Sequence, residues 1–232
     1  MSKGIISMEN PWKNLKNPNE YIAECDKLCI SCLKNSCRGD YELKLKAMPG
    51  PYTGDPEKSV VYVLALNPGY TAGEDEKVGK KHRDIFAKNL LHLVRKCPFI
   101  SFDPIFEGSK GQLWWKRMLG PIIDEVGIKA VSKYVFNAEY FPYHSRRFKL
   151  LKKILPSQNY TFELVKKAIR DKKIIIIMRS AKLWYGAIPE LEKYKNTYIL
   201  RNPRNVRITP NNIGGEGNFK KIVARIQKAA KK

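Results

Sequence analysis

The sequence predicts an α/β protein: a three-layer α/β/α sandwich around a central, mostly parallel, four-stranded sheet. Three observations carry that expectation. Val60 to Leu66 and Lys173 to Met178 are apolar, β-branched runs, as in strands buried on both faces. Segments with helical spacing of apolar residues lie between the strands, which argues for parallel connections with helices over both faces of the sheet. The chain has 232 residues, 43% of them hydrophobic, which suffices for one sizeable core and a small appendage.

In chain order, residues 1–50 form an N-terminal Cys-containing segment of little periodicity, and 51–232 form the α/β domain. Pro49-Gly50-Pro51 and Gly54-Asp55-Pro56 are turn signals before the first strand. The polar, Gly-containing stretch 70–82 reads as a loop. Ile85, Phe86, Leu90, Leu93 and Val94 recur at helical spacing. Trp115, Leu119, Ile122 and Val126 do the same, with Pro121 a potential kink. Lys133 to Asn137 is a second, short strand. A helix is expected over 148–155, ending before Pro156, and another around Phe162, Val165 and Ile169. Thr197 to Leu200 is the fourth strand. Phe219, Ile222, Val223 and Ile226 mark a C-terminal amphipathic helix with a basic outer side.

Ligands of parallel α/β sheets bind beyond the carboxyl ends of the strands, so the residues after each strand are the ones to question. Asn67-Pro68-Gly69-Tyr70 follows the first. Pro stiffens that exit, Gly permits close backbone approach, Asn67 offers an amide to a water or carbonyl, and Tyr70 could stack on a planar base. An ordinary turn explains the same four residues. After the second strand, Asn137 could read a donor and an acceptor on a base edge. Tyr140, Phe141 and Tyr143 suit either stacking or core packing, and Arg146 and Arg147 follow. Arg201, Asn202, Arg204, Asn205 and Arg207 leave the fourth strand. Glu74 and Asp75 in the adjoining loop could serve as a base, or be plain loop charges.

Charge points the same way. Lys and Arg number 44 against 22 Asp and Glu, a formal net charge of +22, which favours polyanions through phosphate contacts and counterion release. Arg-rich segments at two strand exits are better evidence than the total, since a merely solvated face would scatter its charges. No run reaches the apolar length of a membrane span, and the first residues lack a signal-peptide core, so the expectation is an intracellular, monomeric protein with a nucleic-acid partner.

Ala65-Leu66-Asn67-Pro68-Gly69 resembles the Gly-x-Asn-Pro-Gly motif with which uracil-DNA glycosylase superfamily members open their site, with Ala for the leading Gly. Asn137 and Pro142 resemble the base-reading Asn and following Pro of the branch that includes mismatch-specific and single-strand-selective enzymes. Asn202-Pro203-Arg204-Asn205 resembles the second motif in outline. The resemblance covers about 50–230 and implies a uracil-DNA glycosylase-like fold and a DNA partner. The implied reaction is hydrolysis of an N-glycosidic bond after nucleotide flipping, with no cofactor. By the same resemblance Asn67 positions water, Tyr70 or Phe141 stacks on the base, and Asn137 and Asn202 bind it. Arg146, Arg147, Arg201, Arg204, Asn205 and Arg207 would hold DNA. One departure stands out: the family's His falls on Leu200, so either Arg201 or Arg204 stabilises the departing base, or the chain binds nucleic acid without catalysis.

Cys25, Cys29, Cys32 and Cys37 lie close together, while Cys97 stands apart. The four could hold Zn²⁺ or an iron–sulfur cluster that staples a segment with little core of its own. Free thiols are the alternative. Disulfides are not expected in a reducing compartment.

Overall fold

The computed structural model describes residues 8–15, 19–34, 36–73, 79–151 and 153–231. Five strands form one sheet: β1 (Tyr52–Thr53), β2 (Val61–Ala65), β3 (Val135–Glu139), β4 (Ile174–Ile177) and β5 (Thr197–Ile199), in the spatial order β1-β3-β2-β4-β5. The four expected strands are all parallel to one another. The expected strand count needs correcting, because β1 adds a fifth strand, antiparallel to β3 through Tyr52↔Ala138 and Thr53↔Asn137. Two residues carry no periodicity, so nothing in the sequence announced it. Gly54 makes the pairing possible: its φ is +116°, and a Cβ there would lie 2.7 Å from the Val135 carbonyl oxygen.

The helices are α1 (Lys27–Lys34), α2 (Lys80–Leu90), α3 (Lys110–Val126), α4 (Ile128–Tyr134), α5 (Gln158–Arg170), α6 (Ala181–Ala187), α7 (Glu190–Lys193) and α8 (Glu216–Ala230). Of these, α2, α3, α5 and α8 answer to the predicted periodicities. Ser109 caps α3 by accepting from the Gln112 N–H, and Pro121 lies inside that helix. The helix expected over 148–155 is absent from its described residues. Tertiary anchors hold that stretch in an irregular path instead. Phe148 sets its ring edge-on to Phe141, Leu155 is buried, and Lys149 donates to the Ser36 carbonyl.

Alternation along the strands divides the core in two. Tyr62, Leu64, Phe136, Ala138, Ile175 and Ile177 face a cluster completed by α5 and by Trp184 of α6. Val61, Val63, Ala65, Val135, Ile174 and Ile176 face a second cluster with Trp115, Met118, Leu119 and Ile122 of α3, Val131 of α4 and the apolar stripe of α8. Each fully buried Val, Leu, Ile, Phe or Met among them contributes about 1.5–3 kcal/mol of transfer free energy.

The N-terminal residues join the first of these cores through Trp12, Ile30 and Leu45. Their polar anchor is Asp26, which is fully buried and accepts from the Tyr143 hydroxyl (2.8 Å), the Ser157 N–H (3.0 Å) and the Ser157 hydroxyl (2.5 Å). No described helix is long and apolar enough to cross a membrane.

Candidate nucleic-acid base site

The register brings the strand exits to one edge. Ala65 pairs with Glu139, Leu64 with Ile177, and Ile177 with Ile199. Four chain segments therefore leave the sheet side by side: Leu66-Asn67, Tyr140-Phe141, Met178-Arg179 and Leu200-Arg201.

The first two exits are tied together. Asn67 Nδ2 donates to Ser145 Oγ at 3.1 Å, to the Ser145 carbonyl at 3.4 Å and to the Pro68 carbonyl at 3.2 Å. Gly69 forms an isolated parallel bridge with Ser145. The His144 ring lies between two carbonyls, with Nδ1 2.7 Å from Gly69 and Nε2 3.1 Å from Met48. Asn-Pro-Gly is therefore a braced loop whose amide orientation is fixed. No described atom lies within 4 Å of where a Gly69 Cβ would be, so space remains beside it.

The second strand needs a shift of register. Lys133 and Tyr134 end α4, and the strand runs from Val135 to Glu139, so Asn137 lies mid-strand rather than at its end. Asn137 and Glu139 point to the same face as Val63 and Ala65, and both are buried. Thr53, opposite Asn137 on β1, accepts from the Ile100 N–H at 3.0 Å and so fastens a short aromatic cover, in which Phe99 and Phe102 stack at 4.9 Å. Asn137 Nδ2 donates to Glu139 Oε1 at 2.9 Å. Asn137 Oδ1 and Glu139 Oε2 are buried without a hydrogen-bond partner. Two such atoms in one place are unusual, because a buried polar group without a partner costs about 1–3 kcal/mol. Burial pushes the Glu139 carboxyl up to about 7, against the pull of the Asn137 bond and the Arg179 guanidinium.

The exit of β5 is a self-braced loop. Asn202 Oδ1 accepts from the N–H groups of Arg204 (3.0 Å) and Asn205 (3.1 Å). Asn212 Oδ1 accepts from the Asn202 N–H, and its Nδ2 donates to the carbonyls of Asn205 and Arg207. Asn202, expected to bind the base, has its side-chain oxygen engaged in its own turn, which leaves its Nδ2 as the group that turn does not use. Arg201, Arg204, Asn205 and Arg207 are all exposed around that turn. Leu200, where the resembled family has His, is a buried core residue.

The remaining expected site residues divide further. Phe141 is 3% exposed, set edge-on to Tyr143 and Phe148, so it is core and not a stacking platform. Tyr70 is half-buried, with Lys44 Nζ 5.5 Å from its ring centre, so the N-terminal segment reaches this loop. Arg146 and Arg147 both lie near Asp40, at 3.6 and 3.4 Å, which offsets part of their charge. Glu74 and Asp75 lie outside the described residues. Cys25, Cys29, Cys32 and Cys37 are free thiols, and among the described residues no group of three or more potential ligands is gathered for a metal. Burial and the adjacent Asp26 carboxylate push the Cys25 thiol up to about 11, away from the thiolate a metal binds. As placed, these cysteines make no ready site.

Sequence reasoning missed Glu139, Ser145, Asn212 and Thr53. A signal existed for Glu139: an Asn-x-Glu alternation inside an otherwise apolar strand puts two polar groups on one buried face. At the opposite end of the sheet, a surface cavity of about 300 Å³ between the starts of β4 and β5 and α8 is lined by Lys172, Asn196, Tyr198, Lys221, Arg225 and Lys228, among others. Comparison with protein-family models, with curated proteins and with solved structures finds no match for this chain.

Proposed function

We propose that the chain is a uracil-DNA glycosylase-like protein that takes a flipped nucleobase at the carboxyl edge of its sheet and hydrolyses its N-glycosidic bond. One observation carries this reading: Asn137 is buried on β3, two residues from the carboxyl end of that strand, with its amide oxygen unpartnered. An amide held there at a desolvation cost is explained by a ligand edge that bonds to it. Asn67, held by Ser145, would orient a water toward C1′ of the sugar. The water oxygen bonds to C1′, the C1′–N bond breaks, and its electron pair leaves with the base. The water's proton passes to the base or to solvent. Asn is a weak base, so rate would come from positioning and from the Arg201 and Arg204 cations near the departing base. No step passes through a metal.

A second reading has its own support. Leu200 occupies the resembled family's His position and is buried in the core. A protein that binds nucleic acid without cleaving it would look the same. Base release from uracil-containing single- and double-stranded oligonucleotides decides between them. The glycosylase reading expects release that Asn67→Ala and Asn137→Ala each lower about 100-fold or more. Salt-sensitive binding with no release of uracil from either strand would leave only the binding reading.

A further inference from the structure

Building on the base-site reading, we infer that Glu139 is the specificity-determining residue of the site, its neutral carboxyl donating from Oε2 to a base carbonyl while Asn137 Oδ1 accepts the neighbouring ring N–H. The geometry supplies both halves. The bond from Asn137 Nδ2 to Glu139 Oε1 locks the two side chains into one unit and uses one group of each. What remains is one atom of each residue, Asn137 Oδ1 and Glu139 Oε2, both buried and both unpartnered. They project from the same face of β3, two residues apart. With Glu139 neutral, the pair offers an acceptor beside a donor. That matches a lactam edge, an N–H beside a C=O, as deamination creates in a base. With Glu139 ionised, the pair offers two acceptors, and the base carbonyl meets a negative oxygen instead of a proton.

The protonation state is therefore the selector. The groups that bear on it among the described residues are Asn137 on its own strand and Arg179 from the exit of β4; both favour the ionised form, and burial outweighs them. Ala65, directly across on β2, brings no charge. The neutral form thus persists to about pH 7, far above an ordinary carboxylic acid.

The test is the pH dependence of uracil release from a single-stranded oligonucleotide, from about pH 5.5 to about 8.5, for wild type, Glu139→Gln and Asn137→Ala. Gln keeps an oxygen for Asn137 and presents an N–H where the neutral acid presents its hydroxyl. The expected result is a wild-type rate that falls about tenfold per pH unit above neutrality and a Glu139→Gln rate that stays flat and high. A flat wild-type profile would overturn the inference. So would a Glu139→Gln profile that keeps the wild-type fall, or a folded Glu139→Gln protein that is inactive at every pH. In all three cases wild type still releases uracil and Asn137→Ala does not, so the base-site reading stands. If wild type releases no base at any pH, that reading fails and the inference falls with it.

Discussion

The two ends of the sheet treat buried polar groups in opposite ways. At the amino end, Lys173 is buried, and its ammonium donates to the carbonyls of Pro56 (2.5 Å) and Glu57 (3.1 Å). Beside it, Lys167 pairs with Glu57 at 3.2 Å and Asp171 at 2.6 Å, and Asp55 accepts from the N–H groups of Glu57 and Lys58. The orphaned groups there, Ser59 Oγ and Thr197 Oγ1, are hydroxyls. At the carboxyl end, an amide and a carboxyl are buried together with one atom of each unpartnered. Partnered buried charge is the mark of a structural network. Unpartnered buried polarity, set where chain exits converge, is the mark of a place kept for a ligand.

If that contrast is right, mutations at the carboxyl end cost function and leave the fold intact. Asn67→Ala is expected to lower base release about 100-fold or more, close to 3 kcal/mol of transition-state stabilisation, while the midpoint of thermal unfolding moves little. Asn67 is only half-buried, and its partner Ser145 keeps a second bond, to the Arg147 carbonyl. Undiminished release by Asn67→Ala would remove that residue from the chemistry.

Mutations at the amino end should do the reverse. Lys173→Ala leaves two carbonyls without their donor and opens a hole beneath the Tyr62 ring, over which the ammonium lies at 5.3 Å. A loss of about 2–4 kcal/mol in urea unfolding is expected, with base release per folded molecule unchanged. Wild-type stability would mean that this network contributes nothing, and the contrast between the ends would disappear.

The pH dependence of stability tests the buried carboxyl at the carboxyl end next. The folded Glu139 carboxyl titrates near 7 rather than 4.5, so the folded state holds a proton that the unfolded chain has lost between those values. Stability therefore falls as pH rises through that window, by up to about 3 kcal/mol at 1.36 kcal/mol per unit. His92 acts in the opposite direction. Burial in its stack on Tyr52 lowers it from 6.5 to about 4, so stability rises with pH over that range. In wild type the two slopes largely cancel between about pH 4.5 and 6.5, and Glu139 prevails up to about 7. Glu139→Gln removes the falling limb: unfolding midpoints should rise with pH to about 6.5, stay level to about 8, where buried Lys173 begins to lose its proton, and exceed wild type there. A Glu139→Gln profile parallel to wild type would show that this carboxyl titrates normally.

Much of this arrangement was legible in the sequence, for a physical reason that also sets its limit. Val60 to Leu66 and Lys173 to Met178 advertise buried strands because composition alone marks burial on two faces. Asn67 was found because Pro and Gly mark an exit. Asn137 was found as a residue but placed at a strand end, because Lys133-Tyr134 belongs to a short helix whose end no local signal distinguishes from a strand start. Glu139 has no role in the sequence reading, which ends the second strand at Asn137; the pairing with Ala65 shows that it is inside. The Asn202 turn and the burial of Phe141 are likewise tertiary facts, set by Asn212 ten residues on and by Phe148 across the core.

The smallest expected effect concerns where the polyanion lies. Arg201, Arg204 and Arg207 are exposed at the carboxyl end, whereas Lys221, Arg225 and Lys228 line the cavity at the amino end. If a single strand tracks the exits, Arg204→Ala should weaken binding several-fold and reduce the slope of log affinity against log salt by about 0.7 to 1. Arg146→Ala should do less, because Asp40 already offsets that charge. Lys228→Ala should leave the slope unchanged. Binding isotherms at a series of salt concentrations measure all three. A slope that responds to Lys228 and not to Arg204 would place the nucleic acid against α8, at the end where buried charge is already partnered. The orphaned pair on β3 would then need another ligand.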